Sequence, residues 1–80
     1  MIRLSKQTRL HPDQIIAKAE HFFGKKGEGL VAKDRTPCCI SFVGGGGFVS
    51  VSVVDQQKTR TVDIETREFD YPARKFFQSL

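Results

Sequence analysis

The sequence is poor in cysteine, and its two cysteines, Cys38 and Cys39, are next to each other. Adjacent cysteines provide no disulfide framework, so a disulfide-stapled fold is excluded and a reducing cytoplasm is the expected location. No stretch is long and apolar enough to span a bilayer, and the first six residues contain no apolar run typical of a signal peptide. We therefore expect a protein that does not contact a membrane.

The residue spacings that define common metal and catalytic sites are also missing. Cys38 and Cys39 with His11 and His21 would be a poor zinc set, because neither CxxC nor HxxxH spacing occurs. Glycines 44–47 join two predicted strands and lack the following Gly-Lys-Ser/Thr of a phosphate-binding loop, so they predict a hairpin turn. No nucleophile, base and stabilising group occur together. We expect a non-enzymatic protein without a cofactor or metal.

The segment between Cys38 and Arg67 alternates apolar and polar residues, which predicts three consecutive antiparallel strands. Turn-forming or polar residues at 44–47 and 55–58 separate the strands. On a strand Cys38 and Cys39 would point to opposite faces, which predicts that Cys38 lies in the core. The alternating apolar residues are Ile40 and Phe42, then Val49, Val51 and Val53, and finally Val62 and Ile64.

The register of this meander follows from the lengths of its turns. If each turn is a loop of four residues, Val49 faces Phe42 on one side and Ile64 on the other, while Val51 faces Val62. The apolar rows then align across all three strands. A slip of one residue would move one strand's apolar set to solvent.

Two further stretches, about residues 12–24 and 71–80, have apolar residues at helical spacing. Pro12 suits a helix start and Gly24 a helix end, and Asp70 is the predicted N-cap of the second helix. Weaker patterns suggest strands within residues 2–10 and 30–33. The prediction for residues 1–80 is one small two-layer α+β domain, with an antiparallel meander sheet of three to five strands and both helices packed on one face.

The sheet face away from the helices is predicted to be flat and built largely from small side chains. Short side chains allow another surface to approach closely, and a chain of 80 residues buries only ~60% of its unfolded surface. We therefore expect a protein-interaction domain that self-associates through this face, as a homodimer. A polar face exposed to water is the other interpretation. The interface candidates are Cys39, Ser41, Val43, Phe48, Ser50, Ser52, Thr61 and Asp63.

The alternative function rests on charge. The net charge is +4, and all of the excess lies in residues 1–40. This asymmetry predicts weak binding of nucleic acid or another anion. Single-strand binding also uses exposed aromatic residues for stacking, whereas most aromatic residues here are expected in the core. The anion-binding candidates are Lys18, Lys25, Lys26, Lys33 and Arg35.

Overall fold

A computed structural model describes residues 2–80; Met1, the first residue of the predicted domain, lies outside the described residues. Residues 2–80 form one antiparallel sheet of five strands in the order β1-β5-β4-β3-β2, together with two helices. The predicted α+β fold is confirmed, at the upper end of the expected strand number. The elements in chain order are β1 (Ile2–Thr8), α1 (Pro12–Phe23), β2 (Val31–Lys33), β3 (Cys39–Gly44), β4 (Gly47–Asp55), β5 (Arg60–Arg67) and α2 (Asp70–Gln78).

Both helices pack on the same face of the sheet. The centre of this core is aromatic: the ring centroid of Phe23 lies 5.3 Å from that of Phe76 and 5.5 Å from that of Phe42. The predicted core cluster is present, although Phe22 is only partly buried against it. The buried apolar side chains are Ile15, Ile16, Ala19, Phe23, Leu30, Ile40, Phe42, Val49, Val51, Val53, Val62, Ile64, Ala73 and Phe76.

The register of β3 with β4 is as predicted, whereas that of β4 with β5 is shifted by two residues. Val49 pairs with Phe42 on one side, but on the other side it pairs with Thr66 instead of Ile64. Val51 accordingly pairs with Ile64. A shift of two residues preserves the alternation of faces, so the apolar residues still point to the core.

The shift originates in the turn between β4 and β5. Asp55 was predicted to lie in this turn, but it belongs to β4 and pairs with Arg60. Its carboxylate accepts a hydrogen bond from the backbone N–H of Gln57 at 3.1 Å and lies 3.2 Å from Nε of Arg60. Gln57 has a φ of 73°. An aspartate that bonds two residues ahead stabilises such a turn, and this moves the loop one residue along the chain.

The glycine hairpin is tighter than the four-residue loop that was predicted. Gly44 and Gly47 pair with each other, so the turn consists of Gly45 and Gly46 alone. Their φ angles are 57° and 80°, which is the left-handed region that a two-residue hairpin turn requires at both positions.

The helix ends differ in how well they were predicted. Gly24 ends α1 as expected, and its N–H donates to the carbonyl of Glu20 at 2.9 Å. At the start of α2 the cap position is Phe69, and Asp70, the predicted N-cap, is the first helical residue. There its carboxylate still favours the positive end of the helix dipole.

Two lysines from other elements satisfy the last carbonyl groups of α2. Nζ of Lys6 in β1 donates to the carbonyl of Phe77 at 2.7 Å, and Nζ of Lys18 in α1 donates to that of Ser79 at 3.1 Å. Cations are favourable at the negative end of a helix, so these contacts help to fix α2 on the sheet.

The central role of α2 in the core predicts that Phe76→Ala is severely destabilising. Phe76 is fully buried, and truncation of such a residue leaves a cavity that costs about 3–5 kcal/mol of unfolding free energy. Arg74→Ala, at an exposed position of the same helix, should change stability by less than about 0.5 kcal/mol. Urea denaturation followed by circular dichroism measures both. Equal midpoints for Phe76→Ala and the wild type would contradict the packing described above.

Candidate interaction face

The predicted interface residues all lie on the side of the sheet opposite the helices, which we call the open face. Strand alternation explains their common direction, because the core residues occupy the alternate positions of the same strands. Val43 is exposed, and the others are half-buried by their neighbours on the sheet. Neither helix within residues 2–80 covers this face.

The cross-strand rows of the open face differ from the predicted ones because of the shifted register. Ser50 pairs with Glu65, whereas Asp63 had been expected there. Asp63 pairs instead with Ser52, and Arg67 lies beside Phe48, where the register with Val49 facing Ile64 would have put Glu65. The sequence interpretation therefore missed that Glu65 lies at the centre of the face.

The central row carries charged residues on both sides of two serines. From β1 to β2 it reads Arg3, Glu65, Ser50, Ser41 and Lys33, so Arg3 is the outer neighbour of Glu65. The ion pairs within residues 2–80 join Arg35 to Glu20 and Arg60 to Asp55, so Glu65 forms none with its cross-strand neighbour Arg3, and Lys33 forms none. The two serines between them leave a shallow strip that separates a carboxylate from an ammonium group.

An apolar patch occupies the adjacent row, at the end of the face near the glycine turn. Phe48, Val43 and Val31 are cross-strand neighbours there. Val43 is 36% exposed and Val31 is 56% exposed. Val31 was not among the candidates because β2 has only three residues and its alternation is too short to identify in the sequence.

The anion-binding candidates lie on different elements of the fold. Nζ of Lys18 donates a hydrogen bond to the carbonyl of Ser79 at the end of α2, and the guanidinium group of Arg35 lies 3.0 Å from the carboxylate of Glu20. Lys25 and Lys26 follow the end of α1, while Lys33 lies on the open face. A phosphate backbone is bound by cations that share one surface. Nucleic-acid binding therefore stays a prediction.

The cysteine pair lies at the rim of the open face. Cys38 had been expected in the core, but it is exposed, because β3 begins only at Cys39 and strand alternation does not extend back to Cys38. Cys39 is half-buried. The Thr36 hydroxyl lies 3.5 Å from the Cys38 sulfur. Within residues 2–80 no three His, Cys, Asp or Glu side chains are grouped so as to hold a metal ion.

The two thiols have different acidities. Hydrogen bonding with the Cys39 thiol, and then with the Thr36 hydroxyl, lowers the pKa of Cys38. The same interaction, together with partial burial, raises the pKa of Cys39. Cys38 is therefore the thiol that forms a thiolate first as the pH rises.

Comparisons with known proteins identify no relative: no family model, curated protein or solved structure matches this chain. Neither helix found in residues 2–80 has the length and apolar character needed to cross a bilayer. Function must therefore be inferred from the residues of the open face and its rim.

The thiol pair gives a prediction on pH dependence. Iodoacetamide reacts with the thiolate, so the pH midpoint of alkylation should be lower for Cys38 than for Cys39. Cys39→Ala removes the largest cause of the lowered pKa of Cys38, so its midpoint should rise. Thr36→Val should raise it less. Peptide mass spectrometry after timed alkylation distinguishes the two positions, and equal midpoints in the wild type would contradict the assignment.

Proposed function

We propose that this protein is a small non-enzymatic interaction domain that forms a homodimer through the open face. The observation that carries the proposal is the central row, in which Glu65 and Lys33 lie symmetrically about Ser50 and Ser41. The two free thiols suit a reducing location, and the cytoplasm is proposed on that ground.

The symmetry of the row selects one arrangement of two copies. A two-fold axis between the copies, parallel to the strands and midway between β3 and β4, exchanges β4 with β3 and β5 with β2. Ser50 then lies over Ser41 of the second copy, and Glu65 lies over its Lys33. Each charge pair occurs twice, as a closed two-fold interface requires.

The same operation brings the centre of the apolar patch together, while Val31 at its edge lies over Arg67 of the second copy. Phe48 lies over Val43 of the second copy, again twice. Sheets pack face to face at a separation of about 10 Å with nearly aligned strands, and the small serine side chains permit this approach. An axis perpendicular to the strands, between the rows of Glu65 and Asp63, is less favourable because it would set these carboxylates over each other.

The size of the face indicates a weak dimer. Three shared strands of ~20 Å length and the three-residue β2 of ~10 Å, all at about 4.8 Å spacing, give a footprint of roughly 340 Å² per copy. This value is below the ~800 Å² per partner of a standard stable interface. Because only the surplus over the entropy of association appears as affinity, we expect a dissociation constant in the micromolar range.

Charge reversal tests the arrangement directly. Glu65→Lys or Lys33→Glu should each weaken the dimer by roughly tenfold, because each change replaces two attractive contacts with two repulsive ones. The double variant Glu65→Lys with Lys33→Glu should restore association to near the wild-type level. Sedimentation velocity over a range of micromolar concentrations measures the dissociation constants.

Matched controls separate the effect of charges at the contact from the effect of net charge on dimerisation. Glu28→Lys and Lys26→Glu make the same changes in the exposed loop after α1, away from the open face, and should leave the dimer unchanged. A wild type that stays monomeric, or a double variant no better than the single ones, would overturn the proposal. So would a dimer that resists both reversals but is lost in Ser5→Pro, because that result places the contact at the free edge of β1.

Bulk at the centre of the face gives an independent prediction. Ser50→Arg places a long cation in the serine strip next to the two-fold axis, so the variant should be a folded monomer. Gln7→Arg adds the same side chain on β1, outside the four shared strands, and should dimerise like the wild type. Light scattering after gel filtration gives the mass, and circular dichroism verifies the fold. A dimeric Ser50→Arg protein would show that this face is only solvated.

A further inference from the structure

The adjacent cysteines form the most reactive feature of the molecule, and the proposed dimer does not use their chemistry. Cys38 is exposed, Cys39 is half-buried, and both thiols are free. Their surroundings are fixed by backbone hydrogen bonds. The N–H of Thr36 donates to the carbonyl of Cys39 at 2.8 Å, and the N–H of Val53 donates to the carbonyl of Cys38 at 2.9 Å. The pair therefore lies on an ordered segment at the start of β3.

We propose that Cys38 and Cys39 form a two-thiolate site that binds a thiophilic metalloid, namely a monosubstituted trivalent arsenic compound. Soft ligands such as thiolates select soft acceptors. A monosubstituted arsenic(III) centre needs two sulfur ligands, and neighbouring residues supply two.

The number of protein ligands available at the cysteine pair excludes zinc. A structural zinc ion takes four protein ligands, and a catalytic one takes three. No grouping of three suitable side chains exists within the described chain, residues 2–80, so the cysteine pair has no third protein ligand to offer. A monosubstituted arsenic(III) centre needs only two thiolate ligands, so the cysteine pair can bind it although it cannot bind zinc.

The spacing of the cysteines disfavours a direct disulfide. Consecutive Cα atoms across a trans peptide are about 3.8 Å apart, whereas disulfides usually join Cα atoms separated by ~4.4–6.8 Å. An S–S bond between neighbours would therefore be strained. An arsenic atom between the sulfurs bridges a longer gap and relieves this constraint.

The reaction is a condensation in which no atom changes oxidation state. Two thiols and one phenylarsine oxide give one cyclic dithioarsenite and one water, as the two S–H protons leave with the arsenic-bound oxygen. The Cys38 thiolate attacks first, and the Cys39 sulfur then closes the ring. Hydrogen bonding with the Cys39 thiol, and with the Thr36 hydroxyl that lies 3.5 Å from the Cys38 sulfur, lowers the pKa of Cys38 and supports this order.

The test uses phenylarsine oxide and intact-mass spectrometry on the folded full chain. The wild type should take up one phenylarsenic group and retain it in excess monothiol, while a small dithiol should remove it. Cys38→Ser and Cys39→Ser should each lose the adduct under the same conditions. Retention by either single variant equal to that of the wild type would overturn the two-thiolate site.

Two further arms test the role of the fold and separate this proposal from the dimer. The native protein should take up the probe faster than the same chain unfolded in urea, because backbone hydrogen bonds fix the segment that carries both cysteines. Slower uptake by the native protein would overturn a site built by the fold. Glu65→Lys, which is expected to weaken the dimer roughly tenfold, should bind arsenic like the wild type, so dimerisation and arsenic binding can fail independently. Loss of the adduct in Glu65→Lys would contradict a site confined to the rim.

Discussion

The fold depends on the packing of both helices against one face of the sheet. Phe23 of α1 contacts both Phe76 of α2 and Phe42 of β3, and all three side chains are fully buried. The two helices found in residues 2–80 cover one side of the five-stranded sheet. The opposite side is left to water or to another molecule, and this asymmetry makes the open face the natural place to look for function.

The fold could be predicted from the sequence wherever the apolar residues repeat at a regular spacing over a whole strand or helix. The alternation of Val49, Val51 and Val53 gave the correct face of β4, and the helical spacing of Ala73 and Phe76 gave the correct side of α2. These patterns decide direction because they repeat along an element. They do not decide where an element begins or ends.

The errors lie at such ends. Asp55 resembles a turn residue, but its hydrogen bond to Gln57 and its contact with Arg60 extend β4, so the register with β5 moves by two. Cys38 precedes its strand by one residue, so its direction does not follow the alternation. In both cases a contact or boundary in three dimensions overrides the local pattern. The position of Glu65 opposite Ser50 follows from the register, so it could not be identified before the structure.

The most direct test of the account is an intermolecular nuclear Overhauser measurement on a mixture of isotope-labelled and unlabelled protein at high concentration. The isotope filter removes the contact between Phe48 and Val43 within one chain, where they are already cross-strand partners. The account predicts cross-peaks between the Phe48 ring of one copy and the Val43 methyl groups of the other. A concentrated sample with no such cross-peaks, or with a monomer's diffusion coefficient, would contradict it.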